Sequence, residues 1–110
     1  MSTLMSDDQF VLVAAALASP HRLHIVQSLR HTNGLIAGDD EISEHGVSQS
    51  AIVRLCAGIA ASASARHLNA LTTAGVLIRT SASHGGNRRT FYRRNERVIE
   101  AFAYTVTKQL

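Results

Sequence analysis

A single cysteine, Cys56, stands in this chain of 110 residues. One cysteine excludes an internal disulfide and any thiolate cluster within a chain, and it fits a reducing cytoplasm. Tryptophan is absent and aromatic residues make up 5%. Leu, Val, Ile and Ala must therefore fill the interior, a composition suited to closely packed helices. No apolar run approaches the ~18 residues that span a bilayer. The best stretch, Phe10 to Ala18, follows Asp7 and Asp8 and not a basic segment, so neither a membrane span nor a signal peptide is expected. The most informative scarcity is of acid. Between Glu44 and Glu96 there is no Asp or Glu, while Arg54, Arg66, Arg79, Arg88, Arg89, Arg93 and Arg94 all fall inside that window. The acids gather at Asp7–Asp8 and in Asp39–Glu44 instead. A net charge of +3 conceals this asymmetry. Cations without counter-charges need solvent or an anionic partner, and a polyanion is the simplest one.

The chain has a folding composition, with 45% hydrophobic residues and a mean hydropathy of +0.04. Its length predicts one domain over residues 1–110, burying roughly two-thirds of its unfolded surface, with residues 1–5 disordered. Ser6 followed by Gln9 fits a capping box, and Phe10, Val13, Ala14 and Leu17 recur at helical spacing, so a first helix is expected over 7–18. Ser19-Pro20 starts a second helix, with Leu23, Val26 and Leu29 inward and Asn33-Gly34 as its stop. Residues 39–45 fit either one helical turn or an acidic loop. Ser48 caps a short helix with Ile52, Val53 and Cys56 or Leu55 inward, ended by Gly58. A longer helix follows over about 60–74, closed by Gly75. The period then changes. Val76-Leu77-Ile78 and Thr90-Phe91-Tyr92 read as strands flanking the turn residues Ser83-His84-Gly85-Gly86-Asn87. Asn95 caps a last helix with Val98, Ile99, Phe102 and Val106 on its apolar face.

Two helices joined by a tight turn at Gly58-Ile59 and followed by a basic hairpin describe a winged helix-turn-helix, mainly α with a two-stranded wing. The motif occupies 48–75 and the wing 76–94, within five main helices. The second helix of such a pair enters the DNA major groove. At 100° per residue, Leu68, Leu71, Ala61, Ser64, Ala65 and Thr72 share the side expected to be buried. Ser62, Ala63, Arg66, Asn69, Ala70 and Thr73 lie opposite, with His67 at the flank. Small residues near the helix start allow close approach. Arg66 suits guanine O6/N7, Asn69 suits adenine or a phosphate, and Ser62 suits a phosphate or base edge. On the hairpin, His84, Arg88 and Arg89 sit at the tip, where wing arginines reach phosphates or the minor groove. Arg93 and Arg94 lie on the returning arm, where one of them can fold back onto Glu96 or Glu100. The candidate DNA-contacting set is thus Ser62, Ala63, Arg66, His67, Asn69, Thr73, His84, Arg88 and Arg89. The competing readings are a merely solvated helix face and a hairpin charged to protect its edge.

These residues resemble the ArsR/SmtB family of prokaryotic repressors. The run from Ala16 to Val26, ALASPHRLHIV, is similar to the family's "ALADPTRLRIL" entry to the second helix. Ala65-Arg66-His67-Leu68-Asn69-Ala70-Leu71 with Ala74-Gly75-Val76-Leu77 resembles its "SRHLKAL…AGLV" recognition segment, and Thr90–Asn95 resembles the strand leaving the wing. The likeness covers nearly all of the chain outside about residues 33–50. It implies a cytoplasmic repressor that binds double-stranded DNA at an inverted repeat as a homodimer, built from the first and last helices (7–18 and 95–109). Arg54, Ala60 and Ser64 depart from the pattern, standing where Ala, a Ser cap and an inward Val are usual. The family's metal sensors use a Cys-x-Cys pair on the third helix, or His and acidic ligands on the last. Here the third helix has only Cys56, and residues 95–110 hold no His or Cys, only Glu96 and Glu100. No metal or other cofactor is therefore expected.

Three further features carry less. His21 and His24 are three apart on a helix and need a third ligand, such as His31 or His45, to hold a metal. Cys56 reads as a small buried hydrophobe before it reads as a redox switch. Gly85-Gly86 lacks the strand–helix context of a phosphate loop and no nucleophile–base–acid set is framed, so no enzyme is expected. The rival to DNA binding is a winged helix that docks another protein and binds no DNA.

Overall fold

The computed structural model describes residues 4–30, 42–43, 45–56, 58–84 and 86–110. Four of its helices begin on a side-chain cap, each satisfying a backbone N–H that the first turn would leave orphaned. Ser6 accepts from the Gln9 N–H at the start of α1 (Asp7–Leu17), and Ser19 from Arg22 at the start of α2 (Pro20–Leu29). Two strands follow, β1 (Ile42–Ser43) and β2 (Gly46–Ser48). Ser48 then caps α3 (Gln49–Leu55) through the Ala51 N–H at 3.2 Å. The longer α4 (Ala61–Thr73) begins at Ala60 with no side-chain cap. It ends in a Schellman arrangement in which Val76 donates to the Leu71 carbonyl and Gly75, at φ +84°, donates to Thr72. Strands β3 (Leu77–His84) and β4 (Asn87–Arg94) form the hairpin, and Asn95 caps α5 (Glu96–Gln109) through Val98.

The result is mainly helical with a small antiparallel sheet. That sheet corrects the two-stranded expectation: its order is β1-β2-β4-β3, so a second, shorter hairpin extends the first. Ile42 and Ser43 are strand and not helix, and Val47 pairs with Tyr92 while Ser48 pairs with Phe91. Residues 39–41 and 44 lie outside the described residues. The close approach depends on Gly46, held at φ +116°, where a Cβ would fall 2.1 Å from the Tyr92 carbonyl oxygen. Only glycine fits.

Each helix gives one face to the core. Val13 and Ala16 of α1, Ile25, Val26 and Leu29 of α2, Ala51 and Ile52 of α3, and Leu68 and Leu71 of α4 are buried together with Val47, Cys56, Val76, Leu77 and Tyr92. Some inward assignments move along their helices. Leu23 is exposed and Ile25 is buried in its stead, while of the alternatives Cys56 and Leu55 it is Cys56 that is buried, with Ala51 added to the α3 face. Helix α2 ends at Leu29, ahead of Asn33-Gly34, which lies outside the described residues. Met5 is not part of a disordered start: it is buried, and its N–H donates to the Thr105 hydroxyl of α5 at 2.9 Å. Phe10 of α1 stacks on Phe102 of α5 with ring centroids 5.0 Å apart. These contacts fasten the chain's first helix to its last.

No single helix among the described residues is long and apolar enough to cross a membrane; α1 and α2 reach the length only as a pair bent by 95°.

Candidate nucleic-acid interface

The turn between α3 and α4 sets the direction of α4. Cys56 ends α3, Gly58 adopts φ +101°, and Ile59 donates back to the Cys56 carbonyl. From there α4 presents Ser62, Arg66, Asn69 and Thr73, all exposed, at steps of four, three and four residues. At 100° per residue these four lie within ~60° of one another along roughly 16 Å of axis. Buried Ser64, Leu68 and Leu71 occupy the opposite side and press α4 onto the core. The outward row is therefore a straight polar stripe on a rigid element.

The buried arc of α4 is turned from the expected one. Ala61 and Ala65 are exposed, whereas Ala63 is half-buried and packs against the core, and Ala70 is half-buried. His67, at the flank, is also half-buried: its Nδ1 accepts a hydrogen bond from Arg22 Nε of α2 at 3.1 Å. Burial lowers the His67 pKa from its ordinary value, and the positive charges of Arg22, His21 and Arg66 lower it further. Ala63 and His67 are thus turned partly inward, and the outward set on α4 reduces to Ser62, Arg66, Asn69 and Thr73.

The hairpin is the second cationic element. Strand pairing sets Arg88 opposite Ser83, Arg89 opposite Ala82 and Arg93 opposite Ile78. Arg88 and Arg93 are exposed, as is Arg79 on β3, while Arg89 is half-buried. The backbone places His84 beside the tip, paired with Asn87. Arg94 does not join this surface. It folds back, donating from Nε to Glu96 at 2.7 Å and from Nη1 to the Val26 carbonyl at 3.1 Å, so it ties β4 to α2 and α5.

The sheet also brings the hairpin to α3. Arg89 and Thr90 line an open groove of about 410 Å³ with Ser48, Gln49 and Ser50. Gln49 and Ser50 were not legible as neighbours of the wing because β2, which carries α3 to β4, left no signal of its own. Among the described residues no group of three His, Cys, Asp or Glu converges as a metal site would require. His21 instead lies against His67, ring centroids 5.6 Å apart. Cys56 is 1% exposed, and its thiol pKa is raised by burial, partly offset by the Ser28 hydroxyl 3.9 Å away. A buried thiol held protonated is a poor nucleophile.

No protein-family model matches the chain, and no curated protein matches it.

Proposed function

We propose that this protein is a winged helix-turn-helix regulator of transcription, ArsR/SmtB-like in architecture, that binds double-stranded DNA as a homodimer. In this reading α3 and α4 are the helix-turn-helix, α4 lies in the major groove, and β3–β4 is the wing. The observation that carries it is the exposed stripe Ser62–Arg66–Asn69–Thr73 on α4, accompanied by exposed Arg79, Arg88 and Arg93 on the hairpin, in a stretch without acidic residues. Such a stripe can present Arg66 bidentately to guanine and Asn69 to adenine, while the hairpin arginines neutralise phosphates. The dimer forms through α1 and α5, where Val11 is 65% exposed and Leu12 48%. Two copies related by a two-fold axis would place their α4 helices about one DNA turn apart on an inverted repeat. The reading makes the protein a cytoplasmic repressor that needs no bound metal.

Selection of bound sites from a random duplex library at two salt concentrations tests this. An inverted repeat with half-sites about 10 base pairs apart is the expected result. Salt-sensitive retention without a motif contradicts sequence reading. No retention at low salt overturns DNA binding and leaves protein docking in its place.

A further inference from the structure

The contact between α2 and α4 that turns His67 inward has a proton dependence built into it. An imidazole nitrogen accepts a hydrogen bond only when it carries no proton. With Arg22 Nε donating to Nδ1 at 3.1 Å, His67 is neutral and its one ring proton sits on Nε2. Protonation removes the acceptor and places an imidazolium beside a guanidinium. It also sets that charge near His21, whose ring lies at 5.6 Å, and near Arg66 one residue back on α4.

We propose that the Arg22–His67 pair is a proton-released latch that seats α4 on α2. The ionisable groups among the described residues that act on His67 are all basic: Arg22 and His21 from α2 and Arg66 from α4 itself. Among the described side chains on the other elements packed against α4, Asp7 and Asp8 of α1, Arg54 of α3 and Arg79 of β3 are not among the groups that act on it. No carboxylate among the described residues therefore compensates the charge that protonation adds. The sign follows from linkage. His67 titrates lower in the folded than in the unfolded chain, so the unfolded chain binds more protons in the window below the ordinary value of 6.5. The latch is whole above that pH and its contribution is lost as pH falls through the lower, folded pKa. Because α4 carries Arg66 and Asn69, acidification loosens the element that presents them. The docking of α4 on α2 through this pair is independent of whether α4 meets DNA.

The test is a histidine nitrogen titration of the full chain by NMR, without DNA. The native protein should show His67 as the Nε2–H tautomer at neutral pH, with a midpoint below that of an unstructured histidine. Arg22→Met, which keeps the aliphatic stem but removes the donor, should shift the midpoint upward and let both tautomers appear. Urea midpoints of the native chain should fall as pH drops below 6.5, and His67→Gln should abolish most of that fall. A native His67 that titrates at or above the unstructured value, or that carries its proton on Nδ1, overturns the latch without recourse to any variant. An unchanged midpoint in folded Arg22→Met does the same.

Discussion

Two exposed surfaces of this molecule have opposite chemistry. On α4 and the β3–β4 hairpin the exposed polar residues are arginine, serine, asparagine and threonine, beside Ala61 and Ala65 and unaccompanied by carboxylates. On α1 and α5 the exposed residues include Val11, Leu12 and Val106, with Leu4 just ahead of α1. Both helices already spend one side on the core and on the Phe10–Phe102 stack. A polar cationic surface is stable in water and gains by meeting a polyanion. An apolar one gains by meeting another apolar surface. Under the proposed function the contrast would divide the labour, one surface for DNA and the other for a second copy.

Placing a charge on the apolar side should have the largest effect. Val11→Asp leaves the monomer's packing intact, since the side chain is mostly exposed. It should convert the dimer to monomer in sedimentation and weaken binding to an inverted repeat by about a hundredfold or more, as two linked half-sites become independent. An unchanged sedimentation coefficient would show that α1 is not the dimer surface. Next in size, Gly46→Ala should lower unfolding free energy by about 3 kcal/mol, because the new Cβ collides with the Tyr92 carbonyl. Circular dichroism against urea reads that loss.

Those two positions differ in how visible they were beforehand. The helices were legible because their signals are local: Ser6, Ser19-Pro20, Ser48 and Asn95 each mark a start through a hydrogen bond three residues on, while the uncapped α4 was legible from its apolar spacing and Gly75. The long hairpin was legible from its turn residues and changed period. Strands β1 and β2 were not, since two or three residues carry no period and the partner of β2 on β4 is more than forty residues away in sequence. Gly46 reads as an ordinary loop glycine until Tyr92 is placed against it. The outward stripe of α4 followed from helical spacing, but the exact phase of its buried arc did not. That phase depends on Arg22 reaching His67 across 45 positions, and on Ala63 finding the core. That one of Arg93 and Arg94 folds back onto Glu96 was legible from the sequence; that it is Arg94, which also donates to the Val26 carbonyl, was not.

On the polar side, Arg66→Ala should cost ~1–3 kcal/mol at the best site and little on random duplex, which a competition assay separates. Equal losses on both would make Arg66 a phosphate contact. Ser64 sharpens the inner boundary of the same helix. Its hydroxyl is buried with no hydrogen-bond partner among the described residues, so Ser64→Ala should raise stability by about 1 kcal/mol in urea unfolding. A loss of stability would mean that the hydroxyl is satisfied.

The most direct test of the central claim is the salt dependence of binding to a duplex, native chain against Arg88→Ala. If the acid-free surface holds DNA, log affinity falls linearly with log salt for the native chain. The slope for Arg88→Ala should then be shallower by about 0.9, one phosphate contact's worth. A native affinity that does not change with salt, or that is undetectable at low salt, contradicts the assignment of this surface to DNA.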